Sequence, residues 1–259
     1  MRNLNAVLTL AYRDLLKFVR EPVQMIFSFF FPALFVGVLG SSFQQNLGQA
    51  AGFNFLTYTF IGVLMQTAFS VTAETMMTLL EDRENDFTQE IFVAPVSRYA
   101  IILGKIVGGT LQIIPQFIIV SIVGLITGVP LEIGPLLATS PVLLLVCLLG
   151  GGFGIILISL FNNQRGAAQI LPLIIFPLFF LGGVFSPVRD LALPLAILSH
   201  LDPLRYAVDL GRGLFYSGKP EYNLVVLESP LFNLVVVAGM TVLFILAGTY
   251  IFVRSERNK

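Results

Sequence analysis

The stretch from Pro22 to Ala73, PVQMIFSFFFPALFVGVLGSSFQQNLGQAAGFNFLTYTFIGVLMQTAFSVTA, contains no Asp, Glu, Lys or Arg. A soluble helix of that length would carry charge on its solvated face, whereas a bilayer core asks for roughly 20 consecutive apolar residues per crossing. The stretch is long enough for two crossings. Its polar middle, Ser41 to Asn54 with Gln44, Gln45, Asn46 and Gln49, predicts a short loop between them. Four further stretches, 106–131, 133–164, 166–188 and 229–253, are also free of charge.

The same pattern extends over the whole chain. Its 259 residues are 56% hydrophobic and 12% charged, where a soluble domain is about 25% charged. Length and apolarity predict a single all-α integral membrane domain over 1–259 with six transmembrane helices, at about 22–42, 54–78, 106–127, 136–160, 166–185 and 231–253. The net charge is zero, which says little about nucleic acid, but no basic domain exists and no nucleic-acid partner is expected. Cys147 lies in an apolar run and reads as a packing residue. No metal site is expected. The first span is expected to remain in the mature chain, because the charged region before it is long and another apolar segment follows closely.

Residues 1–21 carry Leu4, Val7, Leu8, Ala11, Leu15 and Phe18 at helical spacing, with Arg13, Asp14, Lys17 and Arg20 on the other face. This predicts an amphipathic interfacial helix with Arg13, Lys17 and Arg20 at the lipid headgroups. Eleven cations, Arg2, Arg13, Lys17, Arg20, Arg83, Arg98, Lys105, Arg165, Arg254, Arg257 and Lys259, fall on one side of the six-span layout. Arg189, Arg205, Arg212 and Lys219 fall on the other. The cation-rich side is the cytoplasmic one, so both termini are expected in the cytoplasm of a multi-pass protein of the cell inner (plasma) membrane.

Two loops carry structure of their own. In the cytoplasmic loop 79–98, Asp86 and Gln89 make a capping-box pattern, Phe87 and Ile91 share a face, and Pro95 supplies a stop. A short helix is expected to project there, combining the acids Glu81, Glu84 and Glu90 with Phe87, Ile91 and Phe92; an apolar face turned to the cytosol marks a partner site. In the external loop 187–230, Leu191 to Leu198 is apolar but too short to cross, and reads as re-entrant or interfacial. Asp202-Pro203 then offers an N-cap with proline at the first helical position, and Gly218 a stop. Arg205, Asp209 and Arg212 on that helix read as a solvated stripe of charge, with pairing along one face as the alternative.

Several signals resemble chemistry without supplying it. Gly213 to Lys219 fits most of a P-loop, but Pro220 stands where Ser or Thr must hold magnesium. His200 with Asp202 and Ser199 lacks a nucleophile elbow and reads as structural. Glu74, in the last turns of the second span, reads as a helix end already at the interface. An intramembrane enzyme built on Glu74, His200 and Asp202 would need groups from opposite membrane sides. Gly104, Gly108, Gly150, Gly151, Gly152 and Gly154 permit close helix approach, and Pro115, Pro172 and Pro177 interrupt their spans. Phe27 and Phe30 in span one, with Phe176, Phe179 and Phe180 in span five, read as lipid-facing surface or as the lining of a hydrophobic route.

The whole chain resembles the ABC-2 family of exporter membrane subunits, particularly the group typified by daunorubicin-resistance permeases. The resemblance rests on Tyr12 to Pro22 (YRDLLKFVREP), the six-span layout, Arg83-Glu84 through Ala94 to Arg98 (APVSR), and Ser199 to Asp209 (SHLDPLRYAVD). Asp86-Phe87 departs from the Gly-Thr of many relatives. The resemblance implies a non-enzymatic permease that exports an amphipathic or lipid-linked substrate, with polysaccharide or glycolipid export as the family alternative. It also implies a second permease chain in a homodimer and two separate ABC ATPase subunits that hold ATP and magnesium; this chain would hold no cofactor. The ATPase-coupling residues it implies are Glu81, Arg83, Glu84, Asp86, Phe87, Glu90, Ile91, Phe92, Pro95 and Arg98. An ion-coupled secondary transporter is the competing class, and the uncharged span centres count against it.

Overall fold

The computed structural model describes residues 2–84, 98–161 and 164–257, and all regular structure among them is helical. Helix α1 (Arg2–Arg20) precedes α2 (Pro22–Pro32), which passes through a π-helical stretch (Ala33–Gly40) into α3 (Ser41–Ala51). Then come α4 (Phe55–Glu84), α5 (Arg98–Ile126), α6 (Ile133–Ala138), α7 (Ser140–Ser159) and α8 (Gln164–Leu181). The chain ends with α9 (Leu193–Leu201), α10 (Pro203–Phe215), α11 (Tyr222–Val225) and α12 (Pro230–Arg257). The π-helical stretch begins directly after Pro32, which has no N–H to give to the carbonyl four residues back.

Five helical stretches are long and apolar enough to cross a membrane: Pro22–Gly48, Phe55–Asp82, Tyr99–Ile126, Ile133–Ser159 and Tyr222–Phe252. The sixth expected span is a shorter apolar helix, Arg165–Leu181, interrupted by Pro172 and Pro177. Near its start, Ala167 joins the apolar cluster of Leu10, Leu80, Ile158 and Phe252, where both chain termini gather. At its end, the Leu181 carbonyl accepts a hydrogen bond from Ser199 of α9. The polar stretch Ser41 to Asn54 is mostly helix and not a loop. Its amides are satisfied locally, Asn46 donating to the Ser42 carbonyl and Gln44 Oε1 accepting from the Phe55 amide that opens α4. Gly52, at φ 73°, makes the turn.

Helix α4 is the axle. Of its apolar stretch 89% is buried, against 22% for the first and last spans, which leave most of their surface exposed. It packs closely on α7 because a Cβ at Gly150 would strike the Phe69 carbonyl, and one at Gly154 would lie 2.8 Å from the Ala73 carbonyl. Helix α1 seats on α5 in the same way, with Leu10 and Asp14 over Gly104 and Gly108.

That seating engages part of the charged face of α1 with other helices. Asp14 is buried, and Arg13 and Lys17 reach Asp82 and Glu81 at the end of α4. Leu4 and Leu8, on the apolar face, are exposed. The glycine-flattened surface of α5 admits the Leu10, Asp14 and Phe18 side of α1 because it carries Lys105, whose charge needs an anion. Arg20 is exposed, as expected.

At the far end, α9 and α10 form the expected capped pair. Asp202 accepts from the Leu204 amide at 2.8 Å, with Pro203 at the first helical position. Leu193, Leu195, Ile197, Leu198 and Leu201 of α9 are exposed. The solvated-stripe reading of α10 is overturned, since Arg205, Asp209 and Arg212 are 7%, 2% and 2% exposed. Each ties down a different segment. Arg212 lies 3.4 Å over the Tyr58 ring and donates to the Tyr58 and Val184 carbonyls. Asp209 accepts from the Leu227 and Glu228 amides and from Asn233 at 2.8, 2.8 and 2.7 Å. Arg205 donates to Ser199.

Candidate functional site

Three helices each turn one face toward a common chamber. On α2 these residues are Gln24, Phe27, Ser28, Phe31 and Pro32; on α4, Gln66, Thr67, Ser70, Val71 and Glu74; on α8, Leu171, Pro172, Ile175, Phe176 and Phe179. The spacings of three, four, seven and eight are those of a single helix face. Gln116 of α5 closes the set, and the chamber measures about 340 Å³, at the small end of the roughly 300–1,000 Å³ range of ligand sites.

The wall is aromatic. Phe176, Phe180, Phe185, Phe35, Phe31 and Phe179 form a closed circuit of ring contacts, with centroids 4.3–6.3 Å apart. The polar side comes from α4 and α5. Gln116 donates to Ser28 at 2.8 Å, Ser28 to the Gln24 carbonyl at 2.8 Å, and Thr67 to the Val63 carbonyl at 2.7 Å. Gln66 is 4% exposed and its Oε1 has no hydrogen-bond partner.

A second cavity of about 150 Å³ shares Gln24, Val71 and Glu74 with the first and continues toward the terminal end along Asp14, Lys17, Glu21 and Glu81. Glu74 therefore stands between an aromatic chamber and a charged vestibule. Beside the vestibule, the fully buried Lys105 bridges Asp14 at 3.2 Å and Asp82 at 2.9 Å, and Arg13 reaches the same two carboxylates. Lys17 pairs with Glu81 at 2.7 Å. This network ties α1, α4 and α5 together below the chamber.

The ABC-2 type transporter family matches residues 5–216, most of the chain. The protein is a member of that family. It is similar to a protein of Cyanophora paradoxa named as the transport permease ycf38, with 24% identity over 249 residues, 94% of this chain and 86% of that one. It is also similar to a protein of Escherichia coli named as the multidrug ABC transporter permease YbhR, with 24% identity over 179 residues, 69% of this chain and 48% of that one. The inner membrane transport permease YadH of Escherichia coli is 25% identical over 177 residues, 68% of each chain.

In this ABC-2 permease the sequence-predicted residues fare differently. Phe27, Phe176 and Phe179 line the chamber, and Phe180 belongs to the aromatic circuit around it. Phe30 is exposed outside the lining, and Phe31 takes the place expected of it, because Phe31 lies one turn from Phe27 on the same face. Of the coupling set, Glu81 pairs with Lys17. Glu84 ends α4, and Arg83 lies in its last turn; Arg98 opens α5. Asp86, Phe87, Glu90, Ile91, Phe92 and Pro95 lie outside the described residues. Glu74, read from the sequence as an interfacial helix end, is exposed and lines both the chamber and the vestibule.

The imitations of chemistry dissolve. Ser199 donates to Leu181, and exposed His200 bonds through Nδ1 to the Ala196 carbonyl. Burial pushes the Asp202 carboxyl up to about 8, against the charged form that would orient a catalytic histidine. Lys219 of the P-loop-like segment pairs with Glu132 at 2.7 Å. Sequence reasoning missed Gln66, Ser70 and Gln116. The signal was available in the polar stripe Gln66, Ser70 and Glu74, four residues apart on an otherwise apolar span.

Proposed function

We propose that this chain is the membrane-spanning half of an ATP-driven exporter that moves an amphipathic or lipid-linked substrate outward through the phenylalanine-walled chamber. The observation that carries this reading is the chamber in a transport permease: an aromatic wall from α2 and α8 facing a polar side from α4 and α5, adjoining a charged vestibule at the terminal end. Such a lining suits a substrate with an apolar body and one polar group, and favours it over a polysaccharide. The chain crosses the inner (plasma) membrane six times, α8 being the short crossing, with both termini in the cytoplasm on the cation-rich side. Two copies pair, and each engages an ABC ATPase that binds ATP and magnesium.

Coupling runs through the segment Asp86 to Val93. It follows directly on α4, the helix that carries Gln66, Ser70 and Glu74 into the chamber. The charge network of Arg13, Asp14, Asp82 and Lys105 holds that end of α4 to α1 and α5, so a partner that displaces the segment biases the chamber between two arrangements. The test is Phe87→Ala and Phe92→Ala, each first confirmed to insert normally. Truncating an aromatic anchor at a partner site costs about 2 kcal/mol or more, roughly thirtyfold in affinity. ATPase-subunit binding and transport are therefore expected to fall together. Normal binding with normal transport in both variants removes the coupling assignment.

A further inference from the structure

A third cavity, of about 430 Å³, lies at the end of the bundle opposite the termini and shares no lining residue with the chamber. Asn54 and Thr57 reach it from the start of α4, Glu132 from the turn between α5 and α6, and Tyr216, Lys219 and Glu221 from the turn between α10 and α11. Gly218, at φ 78°, reverses the chain there. Lys219 Nζ then lies 4.6 Å from the Phe215 ring centroid and donates to Glu132 at 2.7 Å. Phe55 and Ile126 end the α4 and α5 crossings beside the cavity, which places it at the level of lipid headgroups.

More polar groups converge on this space than the protein pairs. Thr57 and Tyr216 are 4% and 3% exposed, and the hydroxyl of each is buried with no hydrogen-bond partner. Unpaired buried hydroxyls are costly, and a partner from outside the chain relieves that cost. Burial holds the Tyr216 phenol above its ordinary value, with Arg212 opposing and Glu221 adding to the rise, so the hydroxyl keeps its proton. Asn54 Oδ1 accepts from the Thr57 amide at 3.1 Å, which leaves the Asn54 Nδ2 donors. The half-buried Glu221 side chain makes no hydrogen bond or ion pair among the described residues. Lys219 has three N–H donors and gives one to Glu132.

Each of these groups selects part of a ligand. A free carboxylate beside two hydroxyls asks for a cation with N–H groups, because a quaternary ammonium would leave the acceptors unpaired. The remaining Lys219 donors ask for an oxyanion. A bare anion would meet Glu132 and Glu221 together, and a metal ion finds no group of three ligating side chains among the described residues.

We propose that this cavity binds a zwitterion made of a primary ammonium and a phosphate, the chemistry of phosphoethanolamine. The ammonium meets Glu221 and the hydroxyls of Thr57 and Tyr216, and the phosphate meets Lys219 and Asn54. Its source is a phospholipid headgroup or the free compound. The site is separate from the chamber and independent of what the chamber carries.

The purified full chain in nanodiscs of equal phosphatidylethanolamine and phosphatidylcholine tests this, with the lipids retained on release counted by native mass spectrometry. Phosphatidylethanolamine is expected to be retained about tenfold over phosphatidylcholine, whose headgroup has no N–H to give a carboxylate. Glu221→Gln, at a side chain with no partner to lose, is expected to remove that preference. Tyr216→Phe, which deletes only a hydroxyl, should lower it several-fold. Soluble phosphoethanolamine is titrated by calorimetry against the same chains in phosphatidylcholine nanodiscs. Saturable binding that weakens in Glu221→Gln supports the site with the free compound as a source; a Glu221-dependent lipid preference without it supports the site with the headgroup as the source. If wild type shows neither, the proposal is overturned. It is overturned equally if what wild type shows stays within twofold in both Glu221→Gln and Tyr216→Phe.

Discussion

Two carboxylates lie inside this bundle under opposite terms. Asp209, at the far end, is 2% exposed and accepts three hydrogen bonds, from Leu227, Glu228 and Asn233, with the buried Arg212 one turn along the same helix. Glu74, facing the chamber, has no such partner among the described residues. A buried charge persists only where its lost hydration is replaced. At Asp209 the protein itself replaces it, so the residue is a clamp that joins α10 to the start of α12. Glu74 is exposed on the chamber wall, so whatever fills the cavity supplies its hydration. The same residue chemistry thus separates a structural region from a working one, and the criterion is the state of its hydrogen bonds.

The sharpest way to break the comparison is Asp209→Ala. It strands two amides and the Asn233 side chain, each unsatisfied donor costing about 1–3 kcal/mol, and should destabilise the chain by about 3–5 kcal/mol. The thermal midpoint of the detergent-solubilised protein, followed by its monodispersity, measures this; a midpoint equal to wild type would mean the clamp does not exist. Lys105→Met tests the same logic at the terminal end. Asp14 and Asp82 keep Arg13, so the expected loss is smaller, about 3 kcal/mol, read on the same assay. Glu74→Gln lies at the other extreme. With no partner to lose, its stability should stay within about 0.5 kcal/mol of wild type. A large drop in midpoint would turn Glu74 into another clamp and erase the distinction.

Much of the fold was legible in the residues. Charge-free runs mark the spans because lipid offers no solvation to a charge, and Asp202-Pro203 marks a helix start because the cap is a local hydrogen bond. Phe27, Phe176 and Phe179 read from the sequence as lipid-facing surface or as the lining of a hydrophobic route, and in the structure they line the chamber. The failures share a cause. Ser41 to Ala51 looked like a loop because its side chains are polar, yet a helix whose amides bond locally carries them. Arg205, Asp209 and Arg212 looked solvated because charge on a helix usually is, yet each has a partner outside α10 that spacing along that helix could not reveal.

By itself, the sequence determined that this is a helical membrane protein of the ABC-2 type, with a capped helix at Asp202-Pro203 and glycine-flattened helix contacts. Those properties follow from composition, periodicity and bonds between near neighbours in the chain. Only the tertiary structure decided which charges are spent and which are free. Lys105 meets Asp14 from 91 residues away, and Arg212 meets Tyr58 from 154. Glu74 and Gln66 come to share a cavity with Phe176 only when α8 is laid beside α2 and α4. Whether a polar group in lipid is structural or functional depends on the atoms within about 3 Å of it, and in this chain those atoms are supplied by helices far apart in sequence.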